Sequence, residues 1–544
     1  MSYLFLLLVT IASNCNGSDI VGCITALQRS LGDSKVITSG IPQPYKLQFA
    51  SIIPGAMVFA ETGSDVSLVL NTALAHNVTV AVRSSAGHSY IGQSTIGGSG
   101  IVLNLARMKS FNVDIESDGS FRATLGAGLN NLEVYSYLAM HSPPLGIASG
   151  TCPSVGISGL ISGGGEGMTS TFGGITSDRV VAAKAVVFVD GLYQEIVAPE
   201  DLLFALRGGM GGNYGVVTEW TVEVFVATKV LLYSLKTRSL DPVIDGPKIS
   251  LAIRAHANWM RSPMMSKSVS LPPNNSVWGM SKFKSGRTIQ LVGQCRCEEV
   301  SCSSCQRAVE YLETLVGGCE DGSLFNKCGT EVQDHGEAMW SWAGCTDFGG
   351  IDAYPSGGLS PSTPLPILDS AMKKCLEYDW ENSRSFGKNK SLYLPIESEL
   401  DMNFEQTAIS LVSAPECNDG IAFCYLQMSF VGGRMIEETE DSAFVHRTPG
   451  WHIQMIISWG GDVPAEDAKY FAWAVEAREL MLPMSIREAY QNYPDSDLPR
   501  EIWSVEYFPR NGVFEKLIQI RKKYNPTDVL NVPEVLSMMI PLVD

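Results

Sequence analysis

At 544 residues and 45% hydrophobic the chain can bury a large core, and a prior of about 150 residues per domain gives roughly three or four domains. Its 39 basic against 57 acidic residues leave a formal charge of -18, which repels polyanions and disfavours nucleic acid or an anionic membrane as the main partner. The 52 glycines and 27 prolines are scattered, so no long disordered linker is expected, and no internal repeat is present.

Residues 1–17, MSYLFLLLVTIASNCNG, hold an apolar run from Tyr3 to Ala12 followed by small and polar residues. That pattern suits a cleaved signal peptide better than a membrane span, although no cationic stretch precedes it. No later segment offers the ~18 uninterrupted apolar residues of a transmembrane helix, so a secreted, soluble mature protein is expected. Asn16, Asn77, Asn274 and Asn389 head Asn-x-Ser/Thr sequons and would then be glycan sites.

From about Ile41 to Phe225, short β-rich runs (VTVAVRS, IVLNLARM, AAKAVVFVDG) alternate with glycine-rich turns and helical pieces such as NNLEVYSYLAMH. Leu68 to His76 has apolar helical spacing and precedes a strand. Between 226 and 484 longer amphipathic stretches (CQRAVEYLETLVGG, DAKYFAWAVEARELML) separate β-type runs (IAFCYLQMSFVG, WHIQMIISW), which marks a second domain. The segment 485–544 carries a helix with an Asn-Pro stop and is expected to return to the first domain.

The thirteen cysteines include a cluster at Cys295, Cys297, Cys302, Cys305, Cys319 and Cys328. Disulfides stapling a surface excursion are the simpler reading; Cys302-x-x-Cys305 has zinc-ligand spacing, but no second clean pair or histidine lies nearby. Setting aside Cys15 and Cys152 leaves an odd number, so at least one further thiol should be free or intermolecular.

Two segments carry chemistry. Val82 to Thr95 (VRSSAGHSYIGQST) is a strand running into small residues and then His88, where backbone amides can approach a pyrophosphate; alone it reads equally well as an ordinary turn. Gly150 to Gly174 (GTCPSVGISGLISGGGEGMTSTFGG) is neither a phosphate loop nor a dinucleotide fingerprint, and Cys152 leads it into backbone that can lie against a flat ligand. Alone, such a cysteine is more often a small buried hydrophobe.

Together these segments resemble the berberine bridge enzyme-like group of the vanillyl-alcohol oxidase superfamily, with patterns close to R-S-G-G-H-x-Y and G-x-C-P-[ST]-V-G. The resemblance continues through GGMGGNYGVVTEW, KNKSLYLPI, SAFVHR, AYQNYPDSDL and YNPTDVLN over nearly the whole mature chain. Arg83 five residues before His88, Ser158 for a usual glycine, and Asn531-Val-Pro-Glu534 depart from it.

The resemblance implies an α+β fold in which a two-part, PCMH-type FAD-binding domain (41–225 with 485–544) is joined by a substrate domain (226–484) whose antiparallel sheet is covered by helices. It implies FAD bonded through its 8α-methyl to His88 and through C6 to Cys152. Ser85, Ala86, Gly87, Ser89, Ser94, Gly156, Gly159, Gly164, Val216 and Asn492 would line the nucleotide or the ring.

It also implies hydride transfer from a hydroxylated small molecule to flavin N5, with Tyr493 as base. A phenol of ordinary pKa near ~10 then requires a positive or hydrogen-bonding neighbour. His452 and Gln454 alternate on one strand and would face the substrate together. Val155 matches a position that gates oxygen, which favours an oxidase using O2 and releasing H2O2. The rivals are an oxidase or dehydrogenase closing a natural-product ring, and a catalytically silent extracellular flavin-binding protein.

Overall fold

The computed structural model describes residues 18–261, 276–298, 300–320, 322–346, 351–395, 403–437, 439–460, 464–532 and 539–542; the expected signal segment, Asn16 and Asn274 lie outside them. Four strands, Val36–Ile37 (β1), Ala56–Phe59 (β2), Val80–Arg83 (β3) and Ile101–Asn104 (β4), form a sheet in the order β1-β2-β4-β3. β4 runs parallel to β2 and β3, and parallel strands need a crossover, which the helix Gly63–Ala75 supplies. A capping box between Thr62 and Asp65 starts that helix, five residues before the apolar spacing alone suggested.

A second sheet of Phe111–Ile115 (β5), Phe121–Gly126 (β6), Leu145–Gly146 (β7), Val180–Val189 (β8), Leu192–Val197 (β9) and Val216–Val226 (β10) is antiparallel, in the order β5-β6-β10-β8-β9 with β7 also on β10. Trp220 of β10 is fully buried and donates to Ser158 Oγ at 2.8 Å, which fixes the glycine-rich segment against this sheet. The C-terminal stretch packs back against both the first sheet and the segment leading into β10. Val80 N donates to Val529 O at 2.7 Å and Asn525 Nδ2 to Asn213 O at 3.0 Å.

The third sheet is antiparallel and comprises Val230–Thr237 (β11), Val277–Lys284 (β12), Thr288–Arg296 (β13), Phe325–Gln333 (β14), Phe386–Pro395 (β15), Ala422–Val431 (β16) and Gly450–Trp459 (β17), in the order β14-β11-β13-β12-β16-β17-β15. Period-two alternation gives it two chemically distinct faces. Phe283, Leu426, Met428, Ile453, Met455, Leu392 and Leu394 join a core with the covering helices, among them Ser303–Leu315 and Phe404–Ser413. The register puts Lys282, Gln427, Gln454 and Ser391 in one row of the opposite face, and Met280, Ser429, His452 and Tyr393 in the next.

Disulfides join Cys295–Cys305, Cys297–Cys302, Cys319–Cys328, Cys345–Cys375 and Cys417–Cys424. Cys295, Cys297, Cys302 and Cys305 are themselves buried, with Cys302 capping and Cys305 inside the helix Ser303–Leu315, and their two bridges close the short turn that exposes Val300. Among the described residues no group of side chains could hold a metal ion, and the free cysteines are Cys23, which is buried, and Cys152. Asn389 is corrected as a glycan site: it lies inside β15, 3% exposed, where no glycan fits, whereas Asn77 is exposed after a helix end.

Candidate active site

The loop after β3 is built around a buried arginine. Arg83 donates through Nε and Nη2 to Ser94 O and through Nη1 to Pro42 O, closing the chain from 84 to 94 over its guanidinium. Gly87 has φ +76, and a Cβ there would stand 3.1 Å from Arg83 Nε, so glycine is required. Ser89 Oγ accepts from Gly92 N and Gln93 N and finishes the turn that presents His88.

The Cys152 segment is held by the helix Asn131–Ala139, from which Asn131 Nδ2 donates to Cys152 O at 3.0 Å and Tyr135 OH to Gly150 O at 2.8 Å. The two loops meet: His88 Nε2 lies 2.7 Å from Ser154 Oγ, two residues beyond Cys152. Burial, and then the charge of Lys46, push the His88 imidazole down to about 3, so it is neutral at ordinary pH. Burial, and then Asp379, raise the Cys152 thiol.

Both side chains line a cavity of about 350 Å3 that runs to Gly212, Asn213, Leu530 and Met539. Ser85, Gly87, Ser89, Ser94, Val155, Gly156, Gly159, Val216, Asn492, His452 and Tyr493 line it too. Three expected residues do not. Ala86 is not on its wall; Gly164 faces Phe444, whose ring stands 2.6 Å from where a Cβ would be; Gln454 stops short, donating to Tyr90 OH at 3.2 Å, and it is Tyr90 that reaches the cavity.

A flat, polar-ended cofactor fits this cavity. Gly159 and Gly212 line it with no atom within 4 Å of where a Cβ would stand, Ser85, Ser89 and Ser94 line it too, and among the described residues His452 Nε2 is a buried polar atom with no hydrogen-bond partner. An FAD would be held between the Ser85–Ser94 loop, the Cys152–Gly167 segment and Gly211–Val216.

Sequence reasoning missed Glu166. Its Oε2 lies 2.8 Å from His452 Nδ1, and its Oε1 accepts from Tyr393 OH. Burial works to raise this carboxyl, yet the charge and hydrogen bond of His452, with help from Tyr393 and His446, hold it below the ordinary value. Tyr490 OH accepts from Gly165 N and Glu166 N and so fixes the carboxylate's backbone. A lone acid within GGGEG was the available signal.

Tyr493 stacks on His452 at 5.2 Å between ring centroids, and Tyr393 stacks on it at 5.0 Å. The positive or hydrogen-bonding neighbour expected for Tyr493 is not found among the described residues. Burial pushes its hydroxyl well above 10, and Tyr90, Tyr490, Cys152 and Glu166 add to that rise.

The fold is the two-domain α+β arrangement of PCMH-type flavoproteins, and the family models and relatives place the chain among FAD-dependent oxidoreductases. Residues 54–196 match the family model "FAD binding domain" and residues 489–534 the model "Berberine and berberine like". "Berberine bridge enzyme-like 28" of Arabidopsis thaliana is 24% identical over 91% of this chain and 86% of that protein. The tetrahydroberberine oxidase of Berberis wilsoniae is 26% identical over 83% and 79%. The solved structure of Phl p 4, a grass pollen allergen with glucose dehydrogenase activity, superposes with TM-score 0.74 at 19% identity, covering 96% of this chain and 99% of that one. The chain is thus similar to berberine bridge enzyme-like FAD-dependent oxidoreductases over both its FAD-binding part and its C-terminal segment.

Proposed function

We propose that this protein is a secreted oxidase whose FAD is bonded to both His88 and Cys152 and which oxidises a hydroxylated small molecule, an alcohol or a carbohydrate, at the expense of O2 with release of H2O2. The observation that carries the reading is one cavity lined by His88, Cys152 and His452, the last with a free ring nitrogen. Bound FAD supplies a hydride acceptor at N5.

The chain's own residues handle the proton. His452 Nε2 accepts it from the substrate hydroxyl, and the Glu166 carboxylate at Nδ1 stabilises the imidazolium that results. The stacked rings of Tyr393 and Tyr493 offer their faces to the same cation. Tyr493 thus acts as ring and wall, because a phenol held so far above 10 is a poor base near neutral pH. Gln454 fixes the Tyr90 hydroxyl, while Gln427 and Ser429 present polar groups to a hydroxylated substrate. Val155 leaves oxygen room at the cavity wall. Five disulfides support an oxidising compartment.

Mixing the protein anaerobically with mono- and oligosaccharides, simple alcohols, phenolic alcohols and alkaloids tests the assignment. Bleaching of the flavin band by an alcohol or sugar, and peroxide on admitting air, is expected. Bleaching by phenolic or alkaloid compounds alone would favour ring closure on a natural product, and no bleaching by any of them would favour a silent flavin-binding protein.

A further inference from the structure

His88 gives one ring nitrogen to the protein and keeps the other. Nε2 lies 2.7 Å from Ser154 Oγ, and the Ser154 hydroxyl donates in turn to Asp379 Oδ2. Tyr45 OH donates to the other carboxylate oxygen at 2.9 Å, and the Tyr45 ring stacks on the imidazole with centroids 3.6 Å apart. A hydroxyl whose single proton is committed to a carboxylate can only accept from the imidazole. Nε2 therefore carries the ring proton, and Nδ1, which has no hydrogen bond among the described residues, keeps its lone pair.

Asp379 is 7% exposed and sits near the end of the helix Leu365–Asn382, 225 residues from Ser154. Its position makes the tautomer of His88 depend on a residue from the substrate domain closing over the loop. We propose that Asp379, acting through Ser154, is the positioning residue that prepares His88 Nδ1 to bond the flavin 8α carbon. This rests on the covalent reading given above.

The Nδ1 lone pair forms the N–C bond while a C–H bond at the 8α carbon breaks, its proton passing to water and its electron pair to the ring system. The Nε2 proton leaves through Ser154 toward Asp379, which cancels the charge of the alkylated imidazole. Dioxygen then takes the two electrons and, with the two protons released, departs as H2O2.

The test uses the Cys152→Ala chain, in which His88 is the sole attachment. Flavin surviving acid precipitation is measured against total bound flavin, along with the rate at which loosely bound FAD becomes covalent in air. Ser154→Ala and Asp379→Ala, each added to Cys152→Ala, should still bind FAD in the native state but attach it roughly tenfold or more slowly. Ser154→Thr, which keeps the hydroxyl, should restore the rate. Attachment by both alanine variants at the parent rate, or failure of Ser154→Thr to differ from Ser154→Ala, would overturn the relay. If Cys152→Ala releases all of its flavin, the His88 bond itself is refuted and the relay with it.

Discussion

Glu166 and His452, 286 residues apart in the chain, meet carboxylate to imidazole with Oε2 2.8 Å from Nδ1, at the face of the third sheet that looks onto the cavity. The pair fixes which nitrogen of His452 is free, and the free one has no hydrogen-bond partner among the described residues. Replacing His452 by Ala should lower the rate of anaerobic flavin reduction by about 10²–10⁴-fold. Glu166→Gln should lower it by roughly tenfold or more while flavin content is unchanged. Stopped-flow reduction measures both, and near-normal rates would remove His452 from the chemistry.

Tyr493 separates two accounts of the same cavity. If its role is a ring face beside His452, Tyr493→Phe keeps that face and should change the reduction rate by less than about tenfold, whereas loss of a true base costs about 10²–10⁴-fold. A collapse of the rate in Tyr493→Phe with His452→Ala little affected would return the proton to the phenol.

Acid should loosen the Glu166 contact before neutral pH does. Folded Glu166 titrates below its ordinary value of 4.5, so its contribution to stability is complete above that value and is lost as pH falls through the lowered one. The difference in denaturation midpoint between wild type and Glu166→Gln should hold near neutrality and narrow below pH 4.5. A difference that instead widens in acid would show that the sign is wrong.

Arg447 clamps the third-sheet region to the FAD-binding part. It reaches Asp178 through two bonds of 2.8 Å and also donates to Met435 O and Phe444 O, with only 6% of its surface exposed. Removing one partner of such a buried pair costs about 3–5 kcal/mol. Arg447→Met should unfold at distinctly lower urea with the disulfides intact, as followed by circular dichroism.

The proposed secretion gives a site-specific expectation for the sequons. Enzymatic deglycosylation should shift the mass of the wild type, and Asn77→Gln should reduce that shift by the mass of one glycan. A glycan on Asn389, buried inside β15, would contradict the placement of that strand.

Much of this was legible from residues alone. The strand-loop ending in His88, the run after Cys152 and the alternation that puts His452 and Gln454 on one face all follow from local pattern, and local pattern survives folding. What stayed hidden is what the topology brings together. Nothing near Asp379 in the sequence points to Ser154, and Glu166 was absorbed into a glycine run whose flexibility was the stronger signal. Gly164 was misplaced for a related reason: its lack of a side chain serves the ring of Phe444, 280 positions away in the chain, rather than a ligand. Tyr493 was read from its motif, but its acidity is decided by burial among other phenols.

The account depends most on two bonds to one flavin. Denaturing and precipitating the wild-type protein in acid, then weighing the dissolved pellet by mass spectrometry, examines them directly. A yellow pellet one FAD heavier than the polypeptide is predicted, retained in His88→Ala and in Cys152→Ala and lost only when both are replaced. A colourless pellet at the bare polypeptide mass, with FAD free in the supernatant, would contradict it.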